Sequence, residues 1–200
     1  LHLPEVKAVG VGFWFENGGV LQRLIHRMKY EDRPRLSVPL GWQVAMRFKH
    51  DAHITPAAVV TCVPMHPKKR RKRGYNQAEL LAKSVAEAYG LRFVPELLRK
   101  TKNTKAQARL NKHERRQNVM RVFVANDMLA QSIDGPVLLV DDLITTGATT
   151  ASAAEALIAV GVRDIRLLAL ASPKREFVAN GEAPLDETNT QQQHDQRQHL

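Results

Sequence analysis

The chain has very little cysteine: Cys62 is the only one among its 200 residues. A single cysteine excludes an intrachain disulfide, which is typical of proteins in a reducing compartment. Long hydrophobic runs are also missing, since no uninterrupted apolar stretch approaches the ~20 residues that a membrane-spanning helix needs. The amino terminus lacks the pattern of a secretory signal peptide. We therefore expect a cytoplasmic protein without membrane insertion, and we interpret Cys62 as a packing residue.

Aromatic and acidic residues are scarce too. Aromatic side chains make up 6% of the chain, so platforms on which nucleobases could stack are few. Thirty Lys and Arg against 20 Asp and Glu give a formal net charge of +10, which predicts anionic partners: phosphorylated small molecules, nucleic acid, or both. The glycine-rich lysine loop of nucleoside triphosphatases, the Gly-x-Ser-x-Gly elbow, the His-Glu-x-x-His zinc helix and the Cys-x-x-Cys motif are all absent.

The most informative stretch that is present runs from 137 to 150 and reads VLLVDDLITTGATT. Its four branched apolar residues, 137–140, predict a strand that is buried on both faces, as in a parallel sheet. Asp141 and Asp142 follow where this strand would leave the core, and ligands of open α/β sheets bind beyond the carboxyl ends of the strands. A helix is predicted to start near 150. The stretch therefore predicts a ligand site with two carboxylates at its edge.

Between the two carboxylates and the helix lies a small, hydroxyl-rich loop that we interpret as a phosphate cradle. A helix N-terminus offers unpaired N–H groups and partial positive charge, and a glycine permits close backbone approach or a positive φ. Hydroxyl hydrogen bonds to a charged acceptor contribute roughly 1.5–3 kcal/mol each. Asp141 and Asp142 would repel a phosphate and instead suit vicinal hydroxyls, a Mg²⁺ ion, or both, so the parts together describe a ribose 5-phosphate carrying an activating diphosphate. The alternative is an ordinary strand-to-helix turn with two solvated aspartates. The predicted cradle consists of Thr145, Thr146, Gly147, Ala148 and Thr149.

Residues 137–150 resemble the phosphoribosyl-diphosphate (PRPP) binding motif of type I phosphoribosyltransferases. Two further segments resemble the ComF/GntX branch of that family: 75–82, which lies behind a basic run, and 103–107, which lies ahead of 114–119. The resemblance covers most of the chain. It implies an α/β fold of the type I phosphoribosyltransferase kind, with a mostly parallel sheet and helices on both faces. It also implies an enzyme that binds PRPP and Mg²⁺ and transfers a phosphoribosyl group with release of diphosphate, to an acceptor that no motif reveals, in association with DNA uptake and competence.

The resemblance also assigns roles to residues. Asp141 and Asp142 would be the catalytic pair that holds the ribose hydroxyls and Mg²⁺, and the cradle would hold the 5-phosphate. The exit of a predicted strand at 57–63 corresponds to the diphosphate-binding loop, and the end of the first helix, at 29–30, lies near the site in the family. The residues expected at the diphosphate are Pro64, Met65, His66, Lys68, Arg73, Lys100, Gln107 and Arg115.

Two basic segments of the chain carry further expectations. Residues 68–73 are six consecutive Lys and Arg, which should repel one another and stay mobile until they clamp diphosphate or nucleic-acid phosphates; the alternative is a solvated loop. Tyr75 behind them either stacks on a base or caps the following helix. Residues 98–120 hold eight Lys and Arg against one Glu and little apolar content, which predicts a mobile segment. In the family a flexible loop at this place closes over the substrate and excludes water, with Thr104 as a further participant here.

A second hypothesis on function remains open. The protein would then be a non-catalytic PRPP sensor that binds single-stranded DNA through its basic loops as an accessory of natural transformation. Protein partners could be a second copy in a homodimer or a component of the competence machinery. ComF-like proteins commonly carry a four-cysteine zinc ribbon ahead of this region, and its cysteines are absent here, so we predict no zinc site in these residues.

The chain is expected to form one domain at 1–178, with a strand and helix subregion at 1–50 and a PRPP-binding core at 57–172. Residues 179–200 are rich in Gln, Asn and His with almost no apolar side chains, which predicts a disordered tail. Periodicity predicts strands at 6–15, 57–63, 92–95, 121–125 and 164–171, helices at 20–30, 36–48, 78–89 and 151–160, and a connector at 126–135.

Overall fold

A computed structural model describes residues 3–30, 33–101 and 122–174. The strands are β1 Val6–Phe15, β2 Val59–Cys62, β3 Arg92–Phe93, β4 Leu98–Lys100, β5 Phe123–Ala125, β6 Val137–Leu143 and β7 Ile165–Pro173. The helices are α1 Val20–Tyr30, α2 Ser37–Arg47, α3 Pro67–Arg73, α4 Gln77–Tyr89, α5 Asp127–Gln131 and α6 Ala148–Ala159. Short 3-10 helices lie at Pro34–Leu36 and Pro95–Leu97. Among these helices none is long and apolar enough to cross a membrane.

Five strands form a parallel sheet in the order β1-β7-β6-β2-β3. The middle strand, β6, has an apolar run that is buried on both faces, as predicted. Leu138 and Val140 pack into a core with α1, α2 and α4, while Val137 and Leu139 pack into a second core with α6. Complete burial of such a side chain contributes roughly 1.5–3 kcal/mol. The α/β fold class with helices on both faces is confirmed.

The acidic pair lies inside the strand rather than after it, which corrects the predicted strand end. β6 runs on to Leu143, with Asp141 opposite Ala169 and Leu143 opposite Ala171 of β7. The amide of Ile144 then donates to the carbonyl of Ala171 at 3.1 Å. Hydrogen bonds to the longer strand β7 therefore extend β6 beyond its apolar run and through the acidic pair.

The basic run was predicted to be a mobile loop, and that prediction is wrong: 67–73 form the helix α3. The His66 imidazole caps its first turn by accepting from the amide of Lys68 at 3.2 Å, and Gly74 ends it with a φ of 84°. Arg70 has a counter-ion, because its guanidinium lies 2.9 Å from the Glu79 carboxylate. Like charges that neighbour each other on an exposed helix cost only about 0.2–0.5 kcal/mol per pair, so the caps and the Arg70–Glu79 ion pair offset much of the repulsion.

The basic segment from 98 was also predicted to be mobile, and this is wrong for its first residues. Leu98 is 2% exposed and begins β4, which pairs antiparallel with β5; Lys100 lies opposite Phe123. A buried leucine and a partner strand far along the chain supply the order that the local composition does not predict. The predicted connector at 126–135 likewise contains α5, which the side chain of Asn126 caps. Residues 102–121 and the predicted tail lie outside the described residues.

Candidate functional site

Asp141 and Asp142 lie side by side at the carboxyl end of the middle strand. The amide of Asp142 donates to Oδ1 of Asp141 at 2.8 Å, and Asp141 is only 6% exposed. The ammonium of Lys29, in the last turn of α1, lies 2.7 Å from Oδ2 of Asp142. Both partners of this ion pair are largely buried, with side-chain exposures of 19% for Lys29 and 15% for Asp142. Among the described residues, Lys29 therefore supplies the one cation in direct contact with the acidic pair.

Two ionisable groups of the site are perturbed by burial. Burial raises the pKa of the Asp141 carboxyl well above its usual range, and the neighbouring charge of Asp142 raises it further. The charge of Lys29 and the amide of Asp142 act in the opposite direction. Burial also lowers the pKa of Lys100, helped by the charge of Lys69 and opposed by that of Asp141. Strongly perturbed groups that share a cleft are typical of functional sites.

A cavity of about 220 Å³ lies against the acidic pair. Four cationic side chains line it, from three separate elements: Lys29 of α1, Lys69 and Arg73 of α3, and Lys100 of β4. Seven residues that the sequence predicted for the acidic pair and the diphosphate position line this cavity. They are Pro64, Met65, His66, Arg73, Lys100, Asp141 and Asp142.

Of the other residues predicted at the diphosphate, Lys68 is not in that lining. Lys68 is exposed on α3, where its backbone amide contacts the His66 ring. Gln107 and Arg115, together with Thr104, lie outside the described residues. The roles of all these side chains stay predictions, because proximity alone does not assign a role.

The predicted phosphate cradle forms the turn from β6 into α6. Gly147 has a φ of 76°, a conformation that side chains with a Cβ rarely adopt, and α6 begins at Ala148. The hydroxyl of Thr150 donates to the carbonyl of Gly147 at 2.9 Å and so stabilises the first turn. The amides of Thr145, Thr146 and Gly147 have no hydrogen-bond acceptor within the part of the chain that the structure describes. The bend is therefore open, with donors at the start of a three-turn helix.

Sequence analysis missed two side chains that shape the cavity, Asn76 and Gln77. Asn76 is 6% exposed and donates to the carbonyl of Val63 at 3.1 Å, which ties the start of α4 to the exit of β2. Gln77 is 1% exposed and accepts from Nη1 of Arg73 at 2.7 Å. Amides of this kind ordinarily lie on the surface, and the only local signal was the resemblance of 75–82. Tyr75 does not cap α4, whose N-cap is Asn76; its hydroxyl donates to the carbonyl of Met28, and stacking on a base stays a prediction.

A second, larger cavity of about 760 Å³ adjoins the first. The two share residues of the β2 exit loop together with Asn76 and Lys100. The second is bordered by the Arg70–Glu79 ion pair, Glu96 and Arg99. A ligand that fills the smaller cavity could therefore extend into the larger one.

The described residues contain no group of three or more His, Cys, Asp or Glu side chains able to hold a metal ion by themselves. Two carboxylates nevertheless suit Mg²⁺, which usually takes one or two protein carboxylates and completes its shell with water and substrate phosphates. The Lys29 ammonium beside Asp142 marks a position where this carboxylate already holds a cation. The donor set thus fits a Mg²⁺ ion that arrives with a phosphorylated substrate.

The chain belongs to the phosphoribosyl transferase domain family, whose model matches residues 72–191. Competence protein F of Haemophilus influenzae is 30% identical over 169 residues, which are 82% of this chain and 72% of that protein. The DNA utilization protein YhgH of Escherichia coli O6:H1 is 26% identical over 155 residues, 75% of this chain and 66% of that protein. The solved glutamine PRPP amidotransferase of B. subtilis matches 68% of this chain and 26% of its own, at 20% identity and a TM-score of 0.49. The predicted membership of the ComF branch is confirmed.

Proposed function

We propose that this protein binds PRPP together with Mg²⁺ and transfers the phosphoribosyl group to an acceptor, with diphosphate as the leaving group. The observation that supports this most is the position of Asp141 and Asp142. They stand at the carboxyl end of the middle strand of a parallel sheet, beside a cavity lined by four cations. Ligands of such sheets bind at this edge. A sugar with vicinal hydroxyls and several phosphates matches carboxylates and cations placed next to each other.

Each part of the substrate has a complementary part of the site. The 5-phosphate would accept from the open amides and threonine hydroxyls of 145–149, at the N-terminus of α6. The ribose hydroxyls would donate to Asp141 and Asp142. The leaving diphosphate would lie toward Arg73 and Lys100, next to the β2 exit loop and to Asn76 and Gln77 at the start of α4. A Mg²⁺ ion bound with the diphosphate would offset part of its negative charge.

The proposed reaction needs little covalent catalysis by the protein. Breaking the bond between ribose C1 and the diphosphate oxygen leaves positive charge on the sugar and negative charge on the leaving group. Asp141 and Asp142 lie on the side of the developing positive charge, and the cationic side chains on the side of the negative charge. Positioning and electrostatic stabilisation of this kind can supply most of a rate enhancement.

The test is PRPP binding after the acidic pair is neutralised. Asp141→Asn combined with Asp142→Asn should weaken PRPP binding in saturating Mg²⁺ tenfold or more, about 1.4 kcal/mol, by titration calorimetry. A control double variant, Asp127→Asn with Asp134→Asn, removes the same charge outside the site and should bind as the wild type does. Equal affinities in all three proteins would refute the proposed site. Release of diphosphate from PRPP, followed against nucleobases, DNA and amines, would then identify the acceptor.

A non-catalytic role in DNA handling is the second candidate. Helix α3 presents consecutive basic residues, and Lys68, Lys69, Arg71 and Lys72 are exposed on it. Because similar proteins are named for competence and DNA utilization, we propose that this protein is associated with DNA uptake. In this proposal the core senses PRPP while α3 and the neighbouring basic residues bind single-stranded DNA through its phosphates.

A further inference from the structure

The end of α1 is held in place by side chains from a distant segment. The buried carbonyl of Met28 accepts from the Tyr75 hydroxyl and from Nε2 of Gln77, the latter at 3.4 Å. Met28 is fully buried and Gln77 almost fully. These contacts join the last turn of α1 to the start of α4, more than 40 residues further along the chain.

The same network reaches the basic helix. The other end of the Gln77 amide, Oε1, accepts from Arg73, and the Arg73 guanidinium lies 5.0 Å from the centre of the Tyr30 ring. The Gln77 side chain therefore forms hydrogen bonds to both Met28 and Arg73. The Arg73 guanidinium in turn lies over the ring of Tyr30, the last residue of α1. The backbone before Lys29 is thus held at the Met28 carbonyl, and the side chain after it, Tyr30, contacts Arg73; both contacts favour the direction of Lys29 toward Asp142.

Lys29 and a metal ion at this edge of the sheet would compete for the same carboxylate, that of Asp142. Its ammonium contacts Oδ2 of Asp142, and the remaining charges that line the cavity are Asp141 and three cations, Lys69, Arg73 and Lys100. A Mg²⁺ ion needs carboxylate oxygens at 2.0–2.1 Å and tolerates little distortion of its octahedral shell. An ammonium and a divalent ion at the same carboxylate oxygen repel each other and compete for its lone pairs, so each weakens the binding of the other.

We propose that Lys29 is a positioning residue that fills the cation position at Asp142 and yields it only when a diphosphate arrives with the metal. The proposal rests on the proposed function for the identity of the ligand. A bare divalent ion would have to expel Lys29 into a cavity already lined by Lys69, Arg73 and Lys100. A sugar diphosphate provides the expelled ammonium with an anionic partner in the same cavity. Metal and diphosphate then bind with positive coupling.

The test uses two titrations with effects of opposite sign. Lys29→Met, which keeps the stem and removes the charge, should bind Mn²⁺ alone at least tenfold more tightly than the wild type, measured by the loss of the free-ion electron paramagnetic resonance signal. The same variant should bind PRPP in saturating Mg²⁺ more weakly, because an ammonium is lost from the diphosphate position. A purely structural role for Lys29 would weaken both. Lys29→Arg should restore the wild-type pattern.

Two further variants separate this inference from its alternatives. Lys83→Met removes an exposed lysine of α4 and should change neither titration. Adding Asp142→Asn to Lys29→Met should abolish the gain in Mn²⁺ affinity, since the carboxylate in question is gone. Mn²⁺ binding by Lys29→Met that is equal to or weaker than that of the wild type overturns the proposal. A wild-type protein that binds no PRPP instead overturns the proposed function, and the Mn²⁺ comparison still decides whether Lys29 fills the cation position.

Discussion

At the scale of single residues, the two adjacent carboxylates of Asp141 and Asp142 differ in burial and in their contacts. Asp142 has an ammonium at 2.7 Å, whereas Asp141 is more deeply buried and accepts a hydrogen bond from the backbone amide of Asp142. The ionised form of Asp141 is therefore unfavourable in the folded protein, and its pKa is raised. Functional sites commonly retain such groups at a cost in stability.

This difference predicts a dependence of stability on pH. Since the folded-state pKa of Asp141 lies above its unfolded value, the folded state binds more protons between the two values. The contribution of this group to the free energy of unfolding is thus largest at acid pH, and it falls as pH rises from about 4 through the raised pKa. Asp141→Asn should raise the melting temperature at pH 7.5 by roughly 2–4 °C, which corresponds to about 1 kcal/mol for a chain of this size.

Calorimetric melts from pH 4.5 to 8 measure this effect. The advantage of Asp141→Asn over the wild type should shrink as pH falls, because the wild-type carboxyl becomes protonated. Asp127→Asn, at an exposed position of α5, serves as the control with no such trend. A variant less stable than the wild type at pH 7.5 would show that favourable contacts of the Asp141 carboxylate outweigh the cost of its burial.

At the scale of elements, the site depends on how closely α2 approaches α4. Gly41 of α2 is buried, and a Cβ placed on it would lie 2.8 Å from Cβ of Ser84 and 2.9 Å from the carbonyl oxygen of Leu81. The nearest atoms belong to α4, including its backbone, so they cannot rotate away. Because α4 begins with the residues that border the cavity, the packing of α2 fixes the depth at which Asn76 and Gln77 lie.

Gly41→Ala tests this packing, since two effects of opposite sign compete. Alanine favours a helix interior over glycine by roughly 0.5–1 kcal/mol, whereas overpacking a tight contact costs typically 1–3 kcal/mol. We expect net destabilisation of about 1 kcal/mol or more in urea unfolding, together with weaker PRPP binding. Gln43→Ala, two residues along on the exposed face, should change stability by less than 0.5 kcal/mol. A Gly41→Ala protein as stable as the wild type would mean that the two helices can separate without loss.

At the scale of the whole molecule, charge is the dominant feature. A net charge of +10 exceeds what one sugar diphosphate needs, and α3 displays part of the excess on its exposed surface. Nucleic-acid binding by such a surface is driven by release of counterions, so affinity should fall steeply with salt. Small-molecule binding beside the largely buried pair of Lys29 and Asp142 should depend on salt far less.

Salt titration of single-stranded DNA binding separates these contributions. The logarithm of the association constant should fall against the logarithm of salt concentration with a slope of about 0.7 per phosphate neutralised. Arg71→Gln combined with Lys72→Gln, both exposed on α3 and outside the cavity linings described above, should reduce that slope by about 1.4, by fluorescence anisotropy. Lys83→Gln, on α4, should leave the slope almost unchanged. Tight binding that does not respond to salt would exclude the DNA-binding hypothesis.

Several elements could be predicted because their signals are local. The apolar run 137–140, the turn at Gly147 and the periodic pattern of 78–89 each carry their structure in a few neighbouring residues. The helix at 67–73 was missed because the prediction from composition overestimated charge repulsion. It gave no weight to the capping residues His66 and Gly74. The strand β4 was missed because its partner lies more than 20 residues away.

The amino-acid order of 137–150 was sufficient to place two carboxylates and a phosphate cradle at one strand end, since a buried strand, a glycine bend and a helix start are short-range properties. Other features of the site depend on segments far apart in sequence. They are the ion pair of Lys29 with Asp142, the side-chain amides of Asn76 and Gln77 in the cavity lining, and the position of Lys100 in the same lining. Only the packing of α1, α4 and β4 around the sheet brings those segments together, because contacts between distant segments depend on the fold as a whole and leave no periodic pattern in the chain.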